Sequence, residues 1–246
     1  MRAVFLINSL QMGGAENFMI SLARYCHDKC SMDVLVISLL APRGDSLVNY
    51  GDLQTVELNL NKYNFITKIF ELRNLLKREQ PDILSLWLYH SVLIGLFASL
   101  GLRFAKVVNI RQERINAFDN KFYTFLVYLV SLILYPTSNL VIGNADKFIA
   151  RHPFMHLFKH KCRVIYNGVA QKFCERPAKR DLPANPTIGV VGRIDPEKNL
   201  LELFEALHLS RLNGVMLKIV GPNVNNNLDL TQLLLIQILC YPHWQV

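Results

Sequence analysis

The chain predicts an α/β protein of two doubly wound parallel-sheet domains, the second of them incomplete. Three observations carry this. Short unbroken apolar runs alternate with segments of helical periodicity, the pattern of parallel strands covered on both faces. A polar stretch at 171–186 holds three prolines, Pro177, Pro183 and Pro186, and reads as a linker. Beyond it a fresh strand–helix–strand unit begins and is followed by only one more apolar helical run. One such unit cannot close a parallel sheet by itself. The expected division is an N-terminal domain at 1–173, a linker at 174–186 and a partial C-terminal domain at 187–246.

Taken in order, residues 3–7 read as a buried strand, ending at Asn8-Ser9 and the turn Gly13-Gly14-Ala15-Glu16. A helix follows, with Phe18, Leu22 and Cys26 spaced for one face. Residues 33–39 and 55–58 are strands, and Ile66, Ile69, Phe70, Leu72 and Leu76 give a helix closed by Pro81. Residues 82–86 form the fourth strand, 91–102 a helix ending near Gly101, and 106–110 the fifth strand. Strands are expected at 140–142 and 162–166, with 144–158 helical between them. In the second domain the expectation is a strand at 188–191, a helix at 198–209 and a strand at 215–220.

Two uncharged stretches, 83–102 and 122–145, are long enough to suggest membrane spans. The first fits strand–turn–helix, and the second is greasy only from Phe122 to Tyr135 before Pro136 breaks it. That length suits a buried or interfacial helix. After Met1-Arg2 the apolar run is too short for a secretory leader, so a cytoplasmic protein is expected. Five cysteines, with no CxxC pair, read as reduced thiols.

The net charge of +8 is concentrated. Between Lys147 and Arg180 there are nine Lys/Arg and one acid, Glu175. Such a belt suits an anionic partner or is simply a solvated basic face. With the 122–135 helix it makes residues 122–180 a candidate contact for an anionic membrane surface. No nucleic-acid motif accompanies the belt, so nucleic acid is not an expected partner. His152, His156 and His160 have the i, i+4, i+8 spacing of helix-borne metal ligands, yet lysines flank them and no acid accompanies them. A basic surface helix is expected there, and no metal.

The chemistry is expected at the carboxyl ends of strands, where doubly wound sheets bind ligands. Gly13, Gly14 and Glu16 follow the first strand, His90 the fourth, Arg111 the fifth, and Gly192, Arg193 and Lys198 the strand at 188–191. In the last loop Asp195-Pro196 reads as a helix start, with Asp as N-cap and Pro in the first turn. That puts Arg193 and Lys198 at the positive end of a helix, where a bound phosphate would explain two cations. Alternatively Asp195 and Glu197 neutralise them on a solvated loop.

Six segments, in order along the chain, resemble glycosyltransferase family 4, a group of retaining enzymes with the GT-B fold. They are GGAENFMISLA (13–23), PDILSLWLYHSVLIG (81–95), VVNIRQE (107–113), VIYNGVAQKF (164–173), VGRIDPEKN (191–199) and LKIVGP (217–222). The resemblance implies transfer of a hexosyl group from a nucleotide-sugar donor to a glycan or lipid-linked acceptor, with retention. It implies cell-surface polysaccharide or glycolipid synthesis, peripherally at the inner face of the cytoplasmic membrane. No cofactor or metal is implied, since Arg193 and Lys198 match the pair that stabilises the departing diphosphate. His90 matches a position beside the transferred sugar, and Gly14 one close to donor phosphates or acceptor. The family's paired glutamates beyond the GP turn have no counterpart in 223–246, which contains no glutamate. A truncated remnant that binds acceptor without catalysis is therefore the alternative expectation. A sugar-nucleotide epimerase would need a dinucleotide fingerprint and a Tyr-x-x-x-Lys pair, and neither is present.

Overall fold

A computed structural model describes residues 1–41, 48–111, 129–130, 133–147, 149, 155–169, 187–192, 194, 198–210 and 215–221. The chain forms two compact units, Met1–Val169 and Ala170–Val246.

In the first unit the elements are β1 (Arg2–Ile7), α1 (Gly14–Cys30), β2 (Asp33–Ser38), β3 (Gln54–Glu57), α2 (Phe65–Glu79), β4 (Ile83–Trp87), α3 (Tyr89–Ala98), β5 (Ala105–Ile110), β6 (Leu140–Gly143) and β7 (Cys162–Val164). The seven strands make one sheet in the order β3-β2-β1-β4-β5-β6-β7, every pairing parallel. The direction of strand progression reverses between β1 and β4. That reversal opens the crevice in which α/β sheets take ligands.

Both faces of the sheet are covered, which is why the strands read as unbroken apolar runs. Val4 and Leu6 of β1 point to one face, with Leu35, Ile37, Leu84 and Leu86, under α2 and α3. Phe5 and Ile7 point to the other, with Val34, Val36 and Trp87, under α1. At the amino edge Arg2 ties three elements together. Its backbone N–H donates to Asp82 (2.7 Å), and its guanidinium pairs with Asp33 (2.7 Å) and Glu79.

Three expectations need correction. The buried face of α1 is Met19, Ile20 and Ala23, not Phe18, Leu22 and Cys26. Phe18 and Cys26 flank that face and Leu22 is exposed, because the inward stripe runs one residue further round the helix. Of the expected 144–158 helix, residues 144–147 are a bend and turn, Ile149 is helical, 148 and 150–154 lie outside the described residues, and a 3-10 segment runs over Met155–Lys161. It is kinked at Phe158, so His156 and His160, both exposed, do not share a regular α-helical face. His152 lies outside the described residues, and no cluster able to hold a metal occurs among the described ones. In the belt, Lys161 Nζ donates to the carbonyls of Pro136 (2.6 Å) and Ser138 (2.7 Å), so one of its cations fastens the chain. Most of 122–135 is undescribed, and no helix among the described residues is long and apolar enough to cross a membrane.

The second unit contains β8 (Thr187–Val191), α4 (Leu200–Leu209) and β9 (Met216–Val220), with β8 and β9 parallel. Its small core joins Ile194 and Leu200 to Val190, Phe204 and Ile219. The helix starts at Leu200 rather than 198. Asn199 precedes it at φ +50°, a left-handed conformation that asparagine tolerates and a helix does not continue through. The expected run at 230–239 lies outside the described residues.

Candidate functional site

In the first unit a set of polar side chains gathers at the carboxyl edge of the sheet, around the β1/β4 reversal. Its organiser is Asn8, just beyond β1. Leu88, at the N-cap of α3, has no side chain able to cap the helix and takes φ +68°, a strained value for a leucine. Asn8 supplies the cap from a distant strand: its Oδ1 accepts the Ser91 backbone N–H at 2.9 Å. That contact fixes the amide, so the Asn8 NH₂ group faces His90 Nδ1 at 3.5 Å. An amide nitrogen can only donate, so this contact favours the neutral tautomer with its proton on Nε2. Burial holds the imidazole below its ordinary pKa and agrees with the neutral form, although one edge of the ring faces solvent. His90 thus lies in the first turn of α3, next to the switch point, as a positioned neutral imidazole.

Arg111 follows β5 and is held on three sides. Its guanidinium lies 4.5 Å from the Trp87 ring centroid and 4.6 Å from that of Phe18, within cation–π range of both. Nη1 donates to Asn167 Oδ1, beyond β7. Burial lowers its pKa, Nε is buried without a hydrogen-bond partner, and among the described residues no carboxylate pairs with it. Below it Trp87 Nε1 donates to Ser85 Oγ (2.8 Å), and Asn109 Nδ2 donates to the same oxygen (3.1 Å) and to the Leu86 carbonyl (3.3 Å). The support under Arg111 is therefore a hydrogen-bonded buried layer. A small pocket beside it is lined by Leu88, Tyr89, Asn109, Arg111 and Tyr135 among others.

The glycine turn divides its labour. Gly13 is the N-cap of α1 in extended conformation, and a Cβ there would fall 2.2 Å from Glu16 Oε2. Glu16, third residue of the helix, folds its carboxylate back over Gly13. A Cβ on Gly14 would meet nothing within 4 Å, so the backbone there is open to an incoming group.

In the second unit Gly192 takes φ +157°, and its N–H donates to the Val220 carbonyl at 2.9 Å. Lys198 is exposed and bends back over Gly192, its Cε 3.9 Å from where a Cβ would stand. Lys198 is a 3-10 residue ahead of α4, which begins at Leu200. Arg193, Asp195, Pro196 and Glu197 lie outside the described residues.

Among the sequence-predicted residues, Gly13 and Glu16 meet at the start of α1. His90 and Arg111 are placed by neighbours that sequence reading did not assign to the site: Asn8, Phe18, Trp87 and Asn167. The available signal was position, since Asn8 and Asn167 are the first or nearly the first polar residues after an apolar strand.

The fold has solved counterparts. HepE from Anabaena in complex with UDP-glucose superposes with a TM-score of 0.73 at 16% identity, covering 100% of this chain and 68% of that one. The lipopolysaccharide outer core galactosyltransferase WaaB gives 0.68 at 16%, covering 98% and 65%. Acinetobacter baumannii MurG gives 0.57 at 13%, covering 95% and 64%. At such identities the likeness is one of fold, of the GT-B type, and the chain spans about two thirds of the length of these proteins. No curated protein matches it by sequence. The family model for glycosyltransferase family 4 matches residues 12–172, most of the chain, and the chain therefore belongs to glycosyltransferase family 4.

Proposed function

We propose that the protein transfers a hexosyl group from a nucleotide-sugar donor to a glycan or lipid-linked acceptor with retention of configuration. The observation that carries this is the polar cluster at the β1/β4 switch point in a chain of this family: Asn8 fixing a neutral His90, and Arg111 held on two rings. In this reading the acceptor lies on the first unit, over the open backbone of Gly14 and against Arg111. Gly13 and Glu16 shape the turn beneath it. His90 presents its protonated Nε2 edge, or its carbonyl, to the sugar being transferred. Arg193, Lys198 and the Gly192 turn hold the nucleoside diphosphate and stabilise the charge that develops as it leaves. No metal or cofactor is assigned to that step, because two cations supply the charge. The place of action is the inner face of the cytoplasmic membrane, in polysaccharide or glycolipid assembly, with residues 122–180 available to anionic headgroups.

The test is donor turnover by the purified full chain with a panel of nucleotide sugars, product configuration being read by NMR. Nucleoside-diphosphate affinity should fall about tenfold in Arg193→Ala and in Lys198→Ala, the loss expected for one charge-assisted contact. Unchanged affinity in both variants, by calorimetric titration, refutes the assignment. No turnover of any donor alongside intact acceptor binding turns the conclusion to the non-catalytic acceptor-binding reading.

A further inference from the structure

Arg111 carries the one charge at the carboxyl edge of the first unit whose hydrogen bonds the described residues leave mostly unmade. A guanidinium keeps its proton in proteins and presents five N–H donors in a fixed fork. Nη1 donates to Asn167 Oδ1, while Nε is covered and meets no acceptor. The rings of Trp87 and Phe18 lie 4.5 and 4.6 Å away and hold the plane of the group. What remains is the outer edge of the fork, Nη2 and the second hydrogen of Nη1. Among the described residues nothing accepts from that edge.

A cation drawn partly out of water is ordinarily offset by an anion. The acids on the neighbouring loops are turned elsewhere. Glu16 folds over Gly13, and Asp146, after β6, accepts from the Tyr166 hydroxyl. Stacking on rings leaves the fork edge free, and two parallel N–H donors fit the oxygens of a carboxylate or a phosphate. A lysine here would supply charge without that fit.

Position says what the anion belongs to. Phe18 follows Gly14 by one turn on the same face of α1, and helix side chains lean toward the amino end. Phe18 therefore carries the guanidinium toward the open backbone of Gly14. The step along the helix is one turn, ~5.4 Å, a length that a single sugar unit can bridge.

We propose that Arg111 selects an acidic acceptor, a sugar unit whose carboxylate or phosphate is taken by the Nη1–Nη2 edge while its ring lies over Gly14. The proposal rests on the transferase reading given above and adds to it the charge class of the acceptor. Arg111 acts here as a specificity residue and takes no part in bond making.

The test is the affinity of the full chain for glucuronate, glucose 6-phosphate and glucose, by ligand-observed NMR titration at matched ionic strength. At least one acidic sugar should bind about tenfold or more tightly than glucose, the scale of a charge-assisted pair of hydrogen bonds. Which of the two is preferred names the anion. Trp87 reports the location: in Trp244→Phe it is the sole tryptophan, and its fluorescence should respond to the acidic sugar and not to glucose. Arg111→Gln should abolish the preference and leave glucose affinity as it was. Arg111→Lys, which keeps charge without the fork, should retain only part of it. Where a lowered thermal midpoint shows Arg111→Gln to be unfolded, Arg111→Lys and Asn167→Ala carry the test, each expected to reduce the preference severalfold. Equal affinity for the three sugars overturns the proposal, as does a preference that survives these substitutions, which would make Arg111 a structural clip. Nucleoside-diphosphate affinity should be unchanged in Arg111→Gln; an equal loss there makes the anion the donor's and overturns the assignment to the acceptor. Donor turnover and the Arg193 and Lys198 variants are read without these sugars, so failure of the transferase reading leaves a different signature from failure of this one.

Discussion

Strands β1 and β8 both lead into loops expected to meet substrate, and they are built very differently. In β1 every residue after Arg2 is buried, with one helix layer on each face. In β8 burial only alternates, and Val191 at its end is 84% exposed. The loops differ in the same way. Beyond β1, β4 and β5 each polar group is held by a partner distant in sequence: Asn8 by the Ser91 backbone N–H, Arg111 by the Asn167 side chain and two rings. Beyond β8 the described anchoring is a backbone bond from Gly192 and a lysine lying across it. The first loop set is preorganised, which favours precise placement of a reacting group. Of the second loop only Gly192, Ile194 and Lys198 are described, and the role proposed for it, neutralising a diphosphate, asks less of fixed side-chain geometry.

Substitutions should separate the two regions by stability, and the largest gap is expected between Trp87→Ala and Val191→Ala. Trp87 is fully buried, bonded to Ser85 and stacked beneath Arg111. Its loss should cost about 3–5 kcal/mol. Val191→Ala should change stability by no more than about 0.5 kcal/mol. Urea unfolding followed by circular dichroism measures both, and similar losses would erase the contrast. A smaller effect is expected for Gly95→Ala in α3. A Cβ there would lie 2.3 Å from Leu86 Cδ2 and 2.7 Å from Leu6 Cδ2, both on fully buried side chains. Overpacking of about 1–3 kcal/mol should outweigh the roughly 1 kcal/mol by which alanine favours a helix. A thermal midpoint at or above that of the natural chain would show that the helix can lift off the sheet.

The same contrast explains what could be read from the sequence. The strands were legible because burial on both faces leaves an unbroken apolar run. The position of His90 and Arg111 at the carboxyl edge of the sheet was legible because each follows an apolar strand run. The α1 face was not, since Phe18 is apolar for a different purpose, to carry one side of Arg111. Nor were the partners Asn8 and Asn167, which act across 83 and 56 residues with no local signature. Helix α4 starts two residues later than expected because the left-handed Asn199 interrupts it after the 3-10 residue Lys198, while Asp195-Pro196 lie outside the described residues.

Asn8→Ala should cost about 1 kcal/mol, the loss of a helix cap. It should also release His90, whose pKa would rise toward the ordinary value as the ring gains solvent and loses the amide donor. The sign follows from proton uptake. In the natural chain the folded-state pKa lies below the unfolded one, so on acidification the unfolded chain takes up the proton first. Stability therefore falls as pH drops through the ordinary histidine range and is regained as pH rises. In Asn8→Ala that contribution should flatten. NMR titration of His90, with urea midpoints taken on either side of the window, checks it; an unmoved pKa would leave Asn8 as a cap alone.

Gly14→Ala is expected to have the smallest effect on the fold and is the sharpest probe of the site. The position opens α1, a Cβ there meets nothing within 4 Å, and alanine is the better helix former, so the thermal midpoint should hold or rise slightly. If the open space is only a surface feature, donor turnover should be unaltered as well. If substrate lies against this backbone, the added methyl takes up room the ligand needs. The apparent KM should then rise severalfold while the protein remains as stable as before. Gly13→Ala gives the complementary case, because its Cβ collides with the folded-back Glu16 carboxylate. There only the end of the Glu16 side chain has to swing aside, so stability should fall by no more than the loss of that contact. A KM that rises at Gly14 and not at Gly13, with stability near the natural value in both, would assign the second glycine of the turn to the ligand.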